Sequence, residues 1–340
     1  MLREEEENKI RAALIAQCGN IFDFDDAKSF LLNDNIKKNI STRLISWLIT
    51  FHLISPMRAR WPSSLLSLKK SYQMLLIKYP EKQIDLIEKE FSHVIKNDTL
   101  RTEPWFRKLC VTLGIPPSFS NDAVERSQRI LSLIMLESSN LQYVQGQDRF
   151  IWISFLLSQF FSFHADLSID FSEAIAFHLG KSFITLIELS RKLENYSYVE
   201  NHFTYIDKMV EEEAPEIWLL LKESQNSAIH YALKWELTLF AEEHEIFALF
   251  YLWDQILGRL HDFDEFIRCL CVAHVKQVPV PREKDEMAQT IQRYKNWNVE
   301  KIVEDAKKMM AENQKGACCD FLLIQVYNWL EGICGFHRLG

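Results

Sequence analysis

A chain of 340 residues with 48% hydrophobic side chains is long enough for two domains or one large two-lobed one, and can fill a core. Its formal charge of −8 disfavours a general nucleic-acid binder, which needs a basic stripe, but leaves open a protein partner with a basic face. Seven cysteines at irregular spacing behind an acidic, polar start fit reduced thiols in the cytosol better than a secreted disulfide frame.

Gly and Pro number only 9 each, and long apolar-periodic stretches run between them, so the expectation is an all-α protein. Residues 3–18 read as a helix with Ile10, Leu14 and Ile15 on one face and Gly19 as its stop. After turn chemistry at Asn33-Asp34-Asn35, residues 41–54 read as a helix capped by Ser41, with Leu44, Trp47, Leu48 and Phe51 facing inward. Pro56 and Pro62 bracket a break, and residues 63–80 form a further helix that Pro80 ends. The run Ile84, Ile87, Phe91, Val94 and Ile95 predicts a helix over 83–95 that stops where the chain turns polar at Lys96-Asn97-Asp98. Pro104, Pro116 and Pro117 then point to a long irregular connection, with a helix restarting near Ser120 and carrying Val124, Leu131 and Ile134 inward. Gly146 marks the next joint. Residues 148–163 read as a buried core helix, too short and interrupted for a bilayer, which needs roughly 20 apolar residues. Helical patterns follow over 170–193, 226–241, 244–257 and 299–312, and no strand-like alternation or internal repeat is present. The acidic runs over 3–8 and 211–216 read as solvated helix starts.

No phosphate-cradling glycine loop, paired-histidine metal signature or nucleophile elbow occurs, so the chain is not expected to hold a nucleotide on its own backbone. Cys269, Cys271 and His274 read as packed core rather than a metal site, because Cys269 lies off the face the other two share on a helix. Cys318 and Cys319 read either as buried thiols of a terminal docking helix or as an acylation site. Taken singly, Arg101 reads as a helix-end cap or a partner of Asp98, and Gln145 as a turn residue.

Their surroundings say more. Ile95, Asp98, Arg101 and Thr102 fit I-x-x-D-x-x-R-T, and Tyr143, Gln145 and Gly146 fit Y-x-Q-G. These motifs, in this order, resemble the TBC domain, the Rab GTPase-activating fold. Arg43 and Trp47 look like its early R-x-x-x-W element, Trp235, Phe240, Trp253 and Asp254 like its late ones, and 299–312 like its last helix. The resemblance spans roughly residues 36–312. It departs at "KNIST" before Arg43, where the family has Ser-Gly-Ile-Pro, and at Gln147-Asp148-Arg149, where the family has Met after the glycine. Those changes touch the rim beside Gln145 and bear on substrate choice more than on catalysis.

The resemblance implies an all-α, two-lobed domain with its catalytic residues in the N-terminal lobe. It divides the chain into an N-terminal helical extension (1–35), the domain (36–312) and a C-terminal helical tail (313–340). It implies activation of a GTP-bound Rab-family GTPase in trans, with Arg101 as arginine finger and Gln145 as glutamine finger. Asp98, Thr102, Tyr143, Gly146 and Arg43 would support them. No cofactor of its own is expected, since GTP and Mg²⁺ arrive on the partner. A cytoplasmic protein, peripheral on endomembranes where it meets its partner, fits this role. The alternative is a non-catalytic TBC-like scaffold or GTPase-binding adaptor. A chance match of motifs predicts instead that Arg101 and Gln145 lie far apart.

Overall fold

Residues 148–163 carry apolar side chains on every side, and a helix of that kind has to be surrounded. The computed structural model describes residues 2–19, 21–138, 143–191, 195–280 and 287–313, among which no strand occurs. Its core helix α7 (Asp148–His164) buries every side chain from Phe150 to Leu157. Around α7 pack α3 (Ile40–Thr50), α5 (Glu81–Thr112), α6 (Ala123–Glu137) and α8 (Ile169–Arg191). α8 comes close to α7 at Gly180, where an added Cβ would run into the Ile151 side chain. Trp47 of α3, Phe150 of α7, Phe183 of α8 and Trp253 of α12 (Ile246–Leu257) form one aromatic cluster, with centroids 4.7–5.7 Å apart.

Beside that cluster lies a buried charge centre. Asp254 accepts from Arg43 Nε at 3.0 and 3.1 Å and from Trp47 Nε1 at 2.8 Å, and pairs with Lys38 Nζ at 3.2 Å. The Arg43 guanidinium also stands 4.8 Å from the Phe250 ring. Burial pulls the Lys38 ammonium below its ordinary value, against the pull of Asp254. The early R-x-x-x-W element and the late Trp-Asp element are thus two halves of one core contact.

The N-terminal stretch packs onto the same unit. In α1 (Leu2–Gln17) Ile10 and Leu14 are buried, but Ile15 is 70% exposed, so the apolar face is narrower than its pattern suggests. One residue of helix turns the side chain by about 100°, enough to carry Ile15 past the edge of the contact with α4 (Trp61–Lys78). Arg58 donates to the carbonyls of Leu14, Cys18, Gly19 and Ile21 at 3.0–3.1 Å and so satisfies the C-terminal end of α1. α2 (Phe24–Leu32) is capped by Asp23, which accepts from Asp26 N. The cap of α3 is Asn39 rather than Ser41: Asn39 Oδ1 accepts from Thr42 N at 2.9 Å, while Ser41 is buried and donates to Gln17.

The expected stop at Lys96 does not occur. α5 runs unbroken through Asp98, Arg101 and Pro104 to Thr112. Pro104 removes only its own N–H from the ladder. Burial of Ile95, Thr99, Phe106 and Leu109 holds the helix on both sides of it. The irregular connection shrinks to the few residues around a 3₁₀ turn at Pro117–Phe119, before α6 starts. The acidic run over 211–216 is also not one helix start. It ends α9 (Tyr196–Glu213) and begins α10 (Pro215–Glu223), and Lys276 pairs with Glu213 at the α9 end, where the helix dipole disfavours an acid. α9, α10, α13 (Phe263–Val275) and α14 (Met287–Arg293) lie outside the stretches assigned from periodicity.

The chain divides into two compact units: residues up to Phe203 with Tyr231–Leu260, and Thr204–His230 with residues from His261 onward. α11 (Ile229–Leu237) crosses from the second into the first. In the second unit α10 packs on α14, and a further helix covers 299–313. α13 buries Cys269, Cys271 and His274 completely. Burial pushes the Cys269 thiol up to about 12, and among the described residues no group of three could hold a metal ion. Cys318 and Cys319, and the tail beyond residue 313, lie outside the described residues.

Candidate functional site

In the first unit Asp98 and Arg101 stand one helical turn apart on the same face of α5. Asp98 is 2% exposed, and its two oxygens serve different segments. Oδ1 pairs with Arg101 Nη2 at 2.9 Å, while Oδ2 accepts from Tyr143 Oη at 2.9 Å and from the Gly146 N–H at 3.3 Å. One buried carboxylate therefore ties the mid-helix Arg101 to the loop that carries Gln145. Burial, then the charges of Asp148 and Asp98, hold the Tyr143 hydroxyl far above its ordinary range, so it stays protonated and donates.

Arg101 is 54% exposed and Gln145 is exposed, so both side chains meet at the surface. The Gln145 amide is assigned with its oxygen toward the guanidinium, the orientation in which donor meets acceptor. Oε1 then accepts from Arg101 Nη1 at 2.9 Å and Nη2 at 3.3 Å. The two side chains singled out from distant motifs are hydrogen-bonded partners, against the prediction of a chance match.

Gly146 makes the turn between them. Its φ is +97°, and a Cβ there would meet Thr238 Cγ2 at 2.9 Å. Gly146→Ala is expected to destabilise the protein by about 1–3 kcal/mol through strain and overlap together. Thermal unfolding reads this directly, and an unchanged melting temperature would contradict the account.

Behind the pair, Thr102, Gln147 and Asp148 are each 1% exposed. Thr102, expected as a brace, packs inward beside Asp148. Neither Asp148 oxygen accepts a well-formed hydrogen bond. Burial raises the Asp148 carboxyl above its free value of 3.8, and the Thr102 hydroxyl is the neighbour that most opposes the rise. A carboxyl raised on folding binds its proton more tightly in the native state. Its penalty is therefore absent below 3.8, grows as pH climbs through the raised native value, and is complete above it. Asp148→Asn is accordingly expected to stabilise the protein at pH 7, on the order of 1 kcal/mol, with the gain vanishing near pH 4. Melting temperatures of both proteins across that range test it; a gain that persists at pH 4 would rule out a titrating origin.

Arg43 does not join this cluster. It is fully buried against Asp254 and Phe250, so its support for the site is that of a core residue. Three neighbours of the site lie outside the two motifs. Arg149, at the start of α7, sets its guanidinium carbon 4.5 Å from the centroid of the Trp105 ring, and its Nη2 lies 3.8 Å from Glu242 Oε1. Glu242 also pairs with Lys234 at 2.6 Å. Burial pushes the Glu242 carboxyl up, but the Lys234 hydrogen bond and the charges of Lys234, Arg149 and Arg101 outweigh it and hold it below its ordinary range. Trp105 could have been found from its place one helical turn after Arg101; nothing local in the sequence marks Glu242.

An all-helical body whose I-x-x-D-x-x-R-T and Y-x-Q-G segments meet at the buried Asp98, with Arg101 and Gln145 at the surface, fits a TBC-type Rab-GAP domain. Residues 58–278 match the Rab-GTPase-TBC domain family, and the chain belongs to that family. A solved structure of similar fold is the crystal structure of the Ypt/Rab-GAP domain of Gyp1p. It is 16% identical, with a TM-score of 0.65 over 86% of this chain and 94% of that one. No curated protein matches this chain by sequence.

Proposed function

We propose that this chain accelerates GTP hydrolysis on a Rab-family GTPase, with Arg101 and Gln145 both entering the partner's nucleotide site. The observation that carries the reading is the surface contact of Arg101 with Gln145, held from below by Asp98. GTP hydrolysis needs a water in line with the γ-phosphate and positive charge where the leaving oxygen becomes negative. The Arg101 guanidinium brings a permanent charge with forked donors to phosphate oxygens. The Gln145 carboxamide accepts from the water with its oxygen and donates to the phosphate with its nitrogen, without any change of protonation. Engagement exchanges the Arg101–Gln145 bond for bonds to phosphate and water, while Asp98 keeps its hold on the loop through Tyr143 and Gly146.

In this reading GTP and Mg²⁺ come with the partner, Asp98, Tyr143 and Gly146 hold the two reactive side chains, Thr102 packs beneath them, and Arg43 supports them only through the core. The encounter takes place in the cytoplasm at endomembranes, where the GTPase is anchored. Among the described residues no helix is long and apolar enough to cross a membrane. Phosphate release from a panel of GTP-loaded Rab proteins tests the proposal. At least one is expected to turn over roughly 10³-fold faster or more with this protein present. Binding to a GTP-loaded Rab without any acceleration would replace the proposal with the scaffold role.

A further inference from the structure

We propose that Trp105, Arg149 and Glu242 form a positioning brace that sets the register of Arg101 against Gln145. The brace rests on the GTPase-activating reading for its purpose, but its geometry is independent of it. Trp105 follows Arg101 by four residues on α5, and Arg149 follows Gln145 by four into α7. The two segments that meet at Arg101 and Gln145 therefore meet again one turn further on, through the Arg149–Trp105 stacking at 4.5 Å.

Three features mark this second contact as a tie rather than an offered surface. The Arg149 side chain is 15% exposed and Trp105 is half-buried, so neither is displayed to a partner as Arg101 is. A cation in the first turn of a helix sits at the positive end of the dipole, and the ring face and a carboxylate offset that cost for Arg149. The carboxylate is Glu242, which Lys234 anchors from the other side at 2.6 Å. Between the two contacts, the loop is tied to α5 by the long 3.3 Å bond from Gly146 to Asp98 and by the Tyr143 hydroxyl, and it is closed on itself by the bond from the Val144 N–H to Gln147. Without the brace, the Asp98 bonds and the turn bonds of residues 144–150 remain, but the tie between α5 and the start of α7 is lost, and Gln145 is set less tightly against Arg101.

The test uses Arg149→Ala, Trp105→Ala and the double variant of the full chain, with Trp105→Phe and Arg149→Lys as milder replacements. Amide hydrogen exchange at Gly146 and Gln147 in the free protein is read first. Single-turnover kinetics with a GTP-loaded Rab are read second. Each alanine variant is expected to speed exchange at both amides about ten-fold and to lower kcat about ten-fold, with KM for the GTPase within about two-fold. The double variant should resemble either single one rather than multiply them, since each change breaks the same contact. Trp105→Phe, which keeps a ring face, should recover most of the loss. Unchanged exchange, multiplied effects in the double variant, or a loss confined to KM would each overturn the brace. If the alanine variants do not fold, graded loss of loop protection from Trp105→Phe to Arg149→Lys supports it, and no change in either overturns it. If the wild-type protein accelerates no Rab, the proposed function fails while the exchange data alone decide the brace.

Discussion

Arg101→Ala is expected to lower stimulated GTP hydrolysis by roughly 10³-fold or more and to leave the fold intact. The size follows from charge: a guanidinium in a water-excluded site stabilises negative charge that water would otherwise solvate poorly and late. The intact fold follows from exposure. Arg101 is 54% exposed, and Asp98 keeps its bonds from Tyr143 and Gly146 when the guanidinium is gone. Arg101→Lys is expected to recover little, because an ammonium cannot span Asp98 and a phosphate with forked donors. Single-turnover phosphate release, with circular dichroism on the same samples, measures both halves of the statement. A loss smaller than ten-fold at unchanged ellipticity would mean that Arg101 is not the group that meets the phosphate.

Asp254→Ala is expected to destabilise the protein by about 3–5 kcal/mol, the range found when one partner of a buried ion pair is removed. The substitution leaves Arg43 and Lys38 as two buried cations and takes the acceptor from Trp47 Nε1. Since folded proteins are stable by only about 5–15 kcal/mol, the variant should lie near the edge of folding at 37 °C. Asp254→Asn, which retains an acceptor for Trp47, should fall between. The cause can be separated from simple loss of packing. Combining Asp254→Leu with Arg43→Met and Lys38→Met removes all three charges and should recover much of the lost stability. Urea unfolding midpoints give the comparison, and a triple variant no more stable than Asp254→Ala would refute a charge-based origin.

The sequence was informative where local pattern reports burial. The period of apolar residues in α3 and the apolar patterns of α4, α8 and α12 mark helices that the structure contains, because a helix packed on one side must repeat with its turn, while α7 shows as a run apolar on all sides. It misled at α5 and α1 for related reasons. Proline and a polar dipeptide look like a stop when read locally, yet the buried side chains before and after Pro104 keep the helix whole. Ile15 looks inward by spacing, yet the width of the α1 contact leaves it in solvent. Asn39 could be told from Ser41 as the cap of α3 only once Ser41 was seen to be buried against Gln17.

Residue order and composition alone settle the helical class, the motifs in their order, and which guanidinium and carboxamide stand in them. Packing alone settles the rest: that Arg101 rises from the middle of a helix, that one Asp98 carboxylate serves both motifs, that Arg43 and Trp47 close on Asp254, and that Trp105, Arg149 and Glu242 meet. Helical periodicity is a property of neighbours along the chain, so it shows which face is covered. Which distant segment does the covering depends on how complementary surfaces and charges fit in space, and no local window of sequence contains that information.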